Sequence, residues 1–204
     1  MMTINQIVCL SFILILLIGC QKDTERLDNY YVDLITVKKT GEHYRFELDN
    51  GSLLIPKETN YNGVEGQRAI LNYAPLIGDT IKVNSIANIF TGEVDKERTP
   101  ENLIKDPIKM QSVWVGGNYL NMVIETYFHS KPHKVALFQF QDINSTTASL
   151  YFSHSKEEDP LGYPQIMYLS FLISSIREED RDYTPFKLFI NTFDGQREIP
   201  LILK

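Results

Sequence analysis

Cysteine is nearly missing from this sequence: two occur in 204 residues, Cys9 and Cys20. A disulfide framework is thereby excluded, and stability must rest on a buried apolar core. Tryptophan occurs once, at Trp114, and histidine four times, at His43, His129, His133 and His154. A basic excess is missing as well. The net charge is −6, with six Lys and Arg against nine Asp and Glu in residues 28–94, and twelve against fifteen in residues 95–204. Neither half can neutralise a run of phosphates, which argues against a nucleic-acid partner. No polybasic segment is present to hold an anionic membrane surface. Gly-x-Ser-x-Gly elbows, Walker loops and zinc-protease helices are absent, so the sequence offers no catalytic residue, no metal site and no cofactor. The longest apolar run, residues 7–18 (IVCLSFILILLI), is twelve residues. As a helix it would reach about 18 Å, short of the roughly 30 Å hydrocarbon core of a membrane.

What that run does suit is the apolar region of a signal peptide. It ends on Leu17-Ile18-Gly19-Cys20, which resembles the lipobox of bacterial lipoproteins. The resemblance implies cleavage between Gly19 and Cys20, removal of residues 1–19, and a diacylglycerol on the Cys20 sulfur. Residues 1–6 contain no Lys or Arg, a departure from the usual signal pattern. An uncleaved anchor and a buried cysteine are the competing readings. Each buried CH₂ contributes about 0.8 kcal/mol, and two or three chains together anchor durably. The implied partner is therefore a membrane, through lipid, with residues 20–30 as the tether. Gln21-Lys22-Asp23-Thr24-Glu25 is similar to the lysine-plus-acid signal that sends lipoproteins of Bacteroidota to the cell surface. A plain polar tether explains the same residues. The expected location is the outer membrane of a cell envelope, facing outward or into the periplasm.

Beyond the tether, Tyr and Phe are abundant, eleven of each, and favour strands. Strands are expected at 33–40, 43–48, 52–55, 68–73 and 80–90. In 43–48, Tyr44, Phe46 and Leu48 share one face and His43, Arg45 and Glu47 the other. Asp49-Asn50-Gly51 is a strong hairpin signal. Five short strands make residues 31–95 a small barrel. Residues 96–107, with two prolines and a helical turn signal at Thr99-Pro100-Glu101, read as a linker. Seven further strands follow, at 108–115, 119–128, 134–141, 148–154, 165–174, 186–193 and 197–203. They make residues 108–204 an antiparallel β-sandwich, so the fold class is all-β.

Several stretches carry a family resemblance. These are "ELDNGSLLIPKETNYNGVEGQRAILNYAPL", "DPIKMQSVWVGGNYLNMVI", "HKVALFQF" and "LYFSHSKEEDP", in that order behind the lipobox. Together they resemble the NigD-like lipoproteins of Bacteroidota across nearly the whole mature chain. The resemblance implies an N-terminal OB-type barrel, a C-terminal β-sandwich, an association with bacteriocin loci, and no catalytic residue.

OB barrels bind oligosaccharides or nucleic acid on one face. The candidate contacts there are Tyr44, Arg45, Tyr61, Arg68 and Tyr73, because aromatic and planar groups stack on sugars; Tyr44 and Tyr73 also fit as core. Trp114 is expected as a core anchor of the sandwich. Pro132 keeps His129 and His133 off a common helix face, so they should flank a hairpin turn. His154 with Glu157, Glu158 and Asp159 could ligate a cation, but a solvated acidic loop is the expected reading. Asp79-Thr80-Ile81 resembles an O-glycosylation acceptor at Thr80, and Asn144-Ser145-Thr146 reads as a turn. The function reached is a non-catalytic envelope lipoprotein that binds an envelope protein or a glycan. A bacteriocin-locus accessory or immunity role is the alternative, and a glycan-active hydrolase ranks last.

Overall fold

A computed structural model describes residues 29–96, 103, 105–140, 147–178 and 180–204. The signal peptide, Gly19, Cys20, most of the tether, the turn at Thr99-Pro100-Glu101 and Asn144-Ser145-Thr146 lie outside the described residues. The chain divides into two units, Met1–Tyr30 and Tyr31–Lys204, and the second holds every described strand.

Five strands close a barrel in the order β1-β2-β3-β5-β4: β1 (Tyr31–Thr40), β2 (His43–Leu48), β3 (Leu53–Pro56), β4 (Arg68–Pro75) and β5 (Thr80–Asn88). Alternation along β1 and β4 sends Ile35, Val37, Ala69, Leu71 and Tyr73 inward, where they meet Phe46 and Ile81. The β2–β3 turn has Gly51 at φ +84°, a conformation that costs glycine little.

Eight strands form the second sheet: β6 (Phe90–Asp95), β7 (Lys109–Gly116), β8 (Tyr119–Phe128), β9 (Lys134–Phe140), β10 (Ala148–Ser155), β11 (Tyr163–Leu172), β12 (Thr184–Thr192) and β13 (Gly195–Leu203). Their order is β13-β12-β10-β9-β6-β11-β8-β7. The sheet curls until β13 approaches β7, and Ile108 bridges Thr192, so a sandwich closes on one core. Leu120, Met122, Ile124, Leu137, Leu150, Phe152, Phe171, Phe186 and Leu188 are buried there. Burying each such side chain contributes roughly 1.5–3 kcal/mol. A 3-10 turn at Ser174–Ile176 is the sole helical element among the described residues, so none of them forms a helix able to cross a membrane.

OB barrel and β-sandwich are both present, but the sandwich is not purely antiparallel. The pairs β6–β11, β6–β9 and β10–β12 run parallel. The cause is β6. Residues 80–90, expected as one strand, break at Ile89, and the chain passes from the barrel into the middle of the second sheet. Gln67 holds that corner, its Nε2 donating to the carbonyls of Arg68 and Ile89 at 2.7 and 2.8 Å. Phe90 then packs on Phe171 with ring centroids 5.4 Å apart. A Cβ on Gly92 would sit about 3 Å from both rings, so glycine lets β6 lie between them. The tail of the expected linker is docked on the sandwich: the Asp106 amide donates to the His154 carbonyl at 3.0 Å, and the Ile108 amide to that of Asn191 at 3.2 Å.

Candidate functional site

Strand parity puts Leu34, Thr36, Arg68 and Ile70 on the outer face of the barrel, opposite Ile35, Val37, Ala69 and Leu71. That face meets the outer face of β7, β8 and β11, where Trp114, Asn121 and Ser170 are cross-strand neighbours. Arg68 is completely buried at the junction. Its guanidinium pairs with Asp49 Oδ1 at 2.7 Å and lies 4.3 Å over the Tyr119 ring. It also donates to Thr36 Oγ1 at 3.1 Å, Asn121 Oδ1 at 3.2 Å and Ser170 Oγ at 3.3 Å. The planar fork of arginine suits such divergent partners. Arg68, expected as a ligand contact, instead bolts the barrel to the sandwich.

Tyr73 is also removed from any ligand. It is 6 % exposed, its hydroxyl donates to Asp33 Oδ2 at 3.1 Å, and it stacks on Tyr31. Burial first, then Asp33, pushes its phenol up to about 12. The other three candidates do come together. Tyr44, Arg45 and Tyr61 line an open groove of about 650 Å³ on the barrel, with Ile55 and Lys57. Both tyrosine hydroxyls there are already used, Tyr44 on the Gly63 carbonyl and Tyr61 on Asn88 Oδ1. Their rings pack edge to face, 5.5 Å apart, and join the barrel core. Only Arg45 of the three is exposed. Thr80 opens β5, half-buried, with its amide on the Ile77 carbonyl.

A second cleft, of about 520 Å³, opens beside Arg68 where barrel and sandwich meet. Leu34, Leu48 and Ile70 supply apolar surface from the barrel; Asp33, Asp49 and Asn50 are polar; Trp114 and Tyr168 project from β7 and β11. Trp114 is 37 % exposed and Tyr168 44 %. The expectation of Trp114 as a core anchor is therefore corrected. Val113 and Val115 take the core-facing positions, which leaves Trp114 on the other face of the strand. That alternation, Val-Trp-Val, was the available signal; nothing local in the sequence marked Tyr168. Gly116 and Gly117 let the sandwich approach the Asp49 turn, since a Cβ at Gly116 would collide with the Asp49 carboxylate. Asn121 Nδ2 donates to Asp49 Oδ2 at 3.3 Å, so both carboxylate oxygens are held from behind.

The histidine readings divide. His129 and His133 lie in the β8–β9 connection, but that connection is not the expected hairpin, because β6 and β11 stand between β8 and β9 in the sheet. His154 and Asp159 are buried, at 2 % and 3 % exposure, so the stretch after His154 is not simply a solvated acidic loop. Asp159 accepts from the amides of His129 at 2.6 Å, Ser130 at 3.0 Å and Lys131 at 2.8 Å. Burial alone would raise its pKa; these three amides and His133 outweigh that and hold the carboxyl well below its usual range. Among the described residues, no three His, Cys, Asp or Glu side chains are placed to hold a metal ion.

Two family profiles match the chain: NigD-like N-terminal OB domain over residues 34–91, and NigD-like C-terminal beta sandwich domain over residues 91–201. They meet at the corner where β6 leaves the barrel. No curated protein is similar enough to count as a relative. Among solved structures, a candidate toxin-related protein from Parabacteroides distasonis is 26 % identical, with TM-score 0.79, covering 86 % of this chain and 94 % of that one. A NigD-like immunity protein from Bacteroides caccae is 20 % identical, with TM-score 0.63 and coverages of 83 % and 90 %. A candidate lipoprotein from Bacteroides fragilis is 11 % identical, with TM-score 0.67 and coverages of 86 % and 99 %; at such identities the likeness is one of fold. With one profile on each half of the body and the barrel and sandwich both in place, the chain belongs to the NigD-like family.

Proposed function

We propose that this NigD-like protein is a non-catalytic lipoprotein of the outer membrane, anchored through Cys20, whose body binds a component of the envelope. The observation that carries the binding role is the junction cleft, where Trp114 and Tyr168 stand exposed beside a fixed carboxylate. Its two acids are committed to structure, Asp49 to Arg68 and Asn121, and Asp33 to Tyr73. Neither is poised as a free acid or base, which favours retention of a ligand over turnover. Val32 lines the cleft and lies twelve residues after Cys20, a tether of about 40 Å at full extension. Detergent phase partitioning tests the anchor: wild-type protein enters the detergent phase and Cys20→Ala stays in the aqueous phase. Wild-type protein in the aqueous phase with residues 1–19 intact would end the proposal.

An immunity-type role is the second reading, favoured by the name of the Bacteroides caccae neighbour. Deleting the gene and challenging the strain with toxins of neighbouring strains decides it. Unchanged sensitivity removes it and leaves the binding module in place.

A further inference from the structure

We infer that the junction cleft is a saccharide site, taking the face of a neutral pyranose on Trp114 and its hydroxyls on Asp49 and Asn50. This rests on the binding-module reading and adds a ligand class to it. The cleft volume, about 520 Å³, falls in the range of roughly 300–1,000 Å³ typical of small-ligand sites.

The polar groups are arranged as vicinal hydroxyls require. A sugar hydroxyl both donates and accepts, so a matching site must present an acceptor and a donor side by side. Asp49 is the acceptor. Arg68 takes Oδ1 and Asn121 takes Oδ2, and a carboxylate offers about four lone-pair sites, so acceptor capacity remains on the quarter of the side chain that is exposed. Asn50 is the neighbouring donor: its Oδ1 accepts from the Ser52 amide at 2.9 Å, which orients Nδ2 as the outward group. The two follow one another in a turn fixed by Gly51 and by the Arg68 bond, so little ordering remains for binding to impose. Trp114 and Tyr168 supply rings for the C–H face of a pyranose, the part that water solvates poorly.

The chemistry also disfavours anionic ligands. No Lys or Arg lines the cleft, the Asp49 charge is already matched by Arg68, and Asp33 would repel an anionic glycan or a phosphate. An extended peptide would need a free strand edge for its backbone. Such edges do border the cleft, at residues 32–34 of β1, which pair only with β4, and along β7, which pairs only with β8, so a peptide is the competing occupant that the experiment below separates from a sugar.

Trp114 is the only tryptophan in the chain, so its fluorescence reports on this cleft without labelling. The experiment titrates full-length lipoprotein, held in a polyoxyethylene detergent that carries no sugar, with maltohexaose, cellohexaose, mannohexaose and chitohexaose. Expected is a saturable change in Trp114 emission with at least one of them, together with protection from iodide. Asn50→Ala, at an exposed turn position, weakens that binding about tenfold, the loss of one hydrogen bond. Arg45→Ala, in the separate barrel groove, leaves it unchanged. A silent Trp114 with every hexasaccharide up to 20 mM overturns the saccharide site. If a tryptic digest of envelope proteins then shifts the emission while the sugars do not, the cleft is a peptide site: the binding module survives and the saccharide assignment falls. Binding that is indifferent to Asn50→Ala but lost in Arg45→Ala also overturns the assignment, because it places the sugar in the barrel groove.

Discussion

The Nδ1 atom of His133 lies 3.0 Å from Nε2 of His154, deep between the β8–β9 turn and β10. The carbonyl at one end orders the protons. His154 Nδ1 is 3.1 Å from the Asp106 carbonyl, which only accepts, so the proton of a neutral His154 sits on Nδ1 and its Nε2 accepts from His133. His133 Nε2 in turn faces Asp159 Oδ2 at 3.5 Å. One chain of contacts thus runs from the end of the inter-domain segment, through two imidazoles, to the carboxylate that collects the turn amides.

Stability should fall on mild acidification, through His154. Its proton affinity is lowered mainly by burial, with His133 and Lys156 adding to that and the Asp106 contacts opposing it. The unfolded chain takes up this proton near pH 6.5, the folded chain only at lower pH. Between those values unfolding binds a proton, so stability is full above about 6.5 and drains away as pH falls through the folded value. Urea midpoints are expected to be lower at pH 5 than at pH 7.5. His154→Gln should flatten that difference, and a variant that keeps the full wild-type slope would show that another group is responsible.

Asp159 should set a second, more acidic limb. Its carboxyl is held below the ordinary 3.8 against burial by the amides of His129, Lys131 and Ser130. A depressed carboxylate contributes stability above its unfolded value and loses it as pH falls through the folded one. The loss therefore begins near pH 4 and continues below it. Asp159→Asn retains one acceptor oxygen for three amides. It should lower the midpoint at pH 7 and erase the steep loss below pH 4, both read by circular dichroism in urea. Glu157 and Glu158, at φ 51° and 62°, turn the chain so that Asp159 reaches its amides. No sequence pattern announced that a buried carboxylate would follow two exposed-looking acids.

Arg68 makes the largest single-residue prediction. Removing one partner of a buried, hydrogen-bonded ion pair leaves the other charge uncompensated, at about 3–5 kcal/mol. Arg68→Met should fall in or near that range, since Asp49 keeps a quarter of its surface in water. Asp49→Asn alone strands the guanidinium. The double variant should be more stable than the sum of the two losses, because neither charge is then left alone. Additive losses in a denaturant double-mutant cycle would mean that the pair is not coupled.

Strand positions were legible because alternation and turn residues are local. His43–Leu48 and Tyr119–Phe128 fall where their patterns put them. The site was less legible because it is made by contact between two modules. Arg68 looks like any exposed basic residue on an alternating strand until β8 and β11 cover that face. Trp114 could be placed only by asking which of Val113, Trp114 and Val115 the core would take. The break at Ile89 escaped for a similar reason. Residues 80–90 are continuously strand-like, and only the pairing of Phe90–Asp95 with β9 and β11 shows that one extended segment serves two sheets.

Gly116→Ala tests how closely the junction is fitted. The added Cβ would fall inside contact distance of the Asp49 carboxylate and 2.9 Å from Asn121 Nδ2. An exposed carboxylate would swing aside at little cost, but this one is tied to Arg68 and Asn121. Relief must come from lengthening those bonds or shifting β7, and overpacking of this kind costs about 1–3 kcal/mol. The same displacement moves Asp49 within the cleft and alters the surroundings of Trp114, two residues before the substitution. Gly116→Ala should therefore lower the denaturation midpoint and change iodide quenching of Trp114 in the folded protein. In the wild type, quenching should be substantial, as the 37 % exposure of that ring requires. A Gly116→Ala protein with wild-type stability and wild-type quenching would mean that the barrel and sandwich are not pressed together at Asp49.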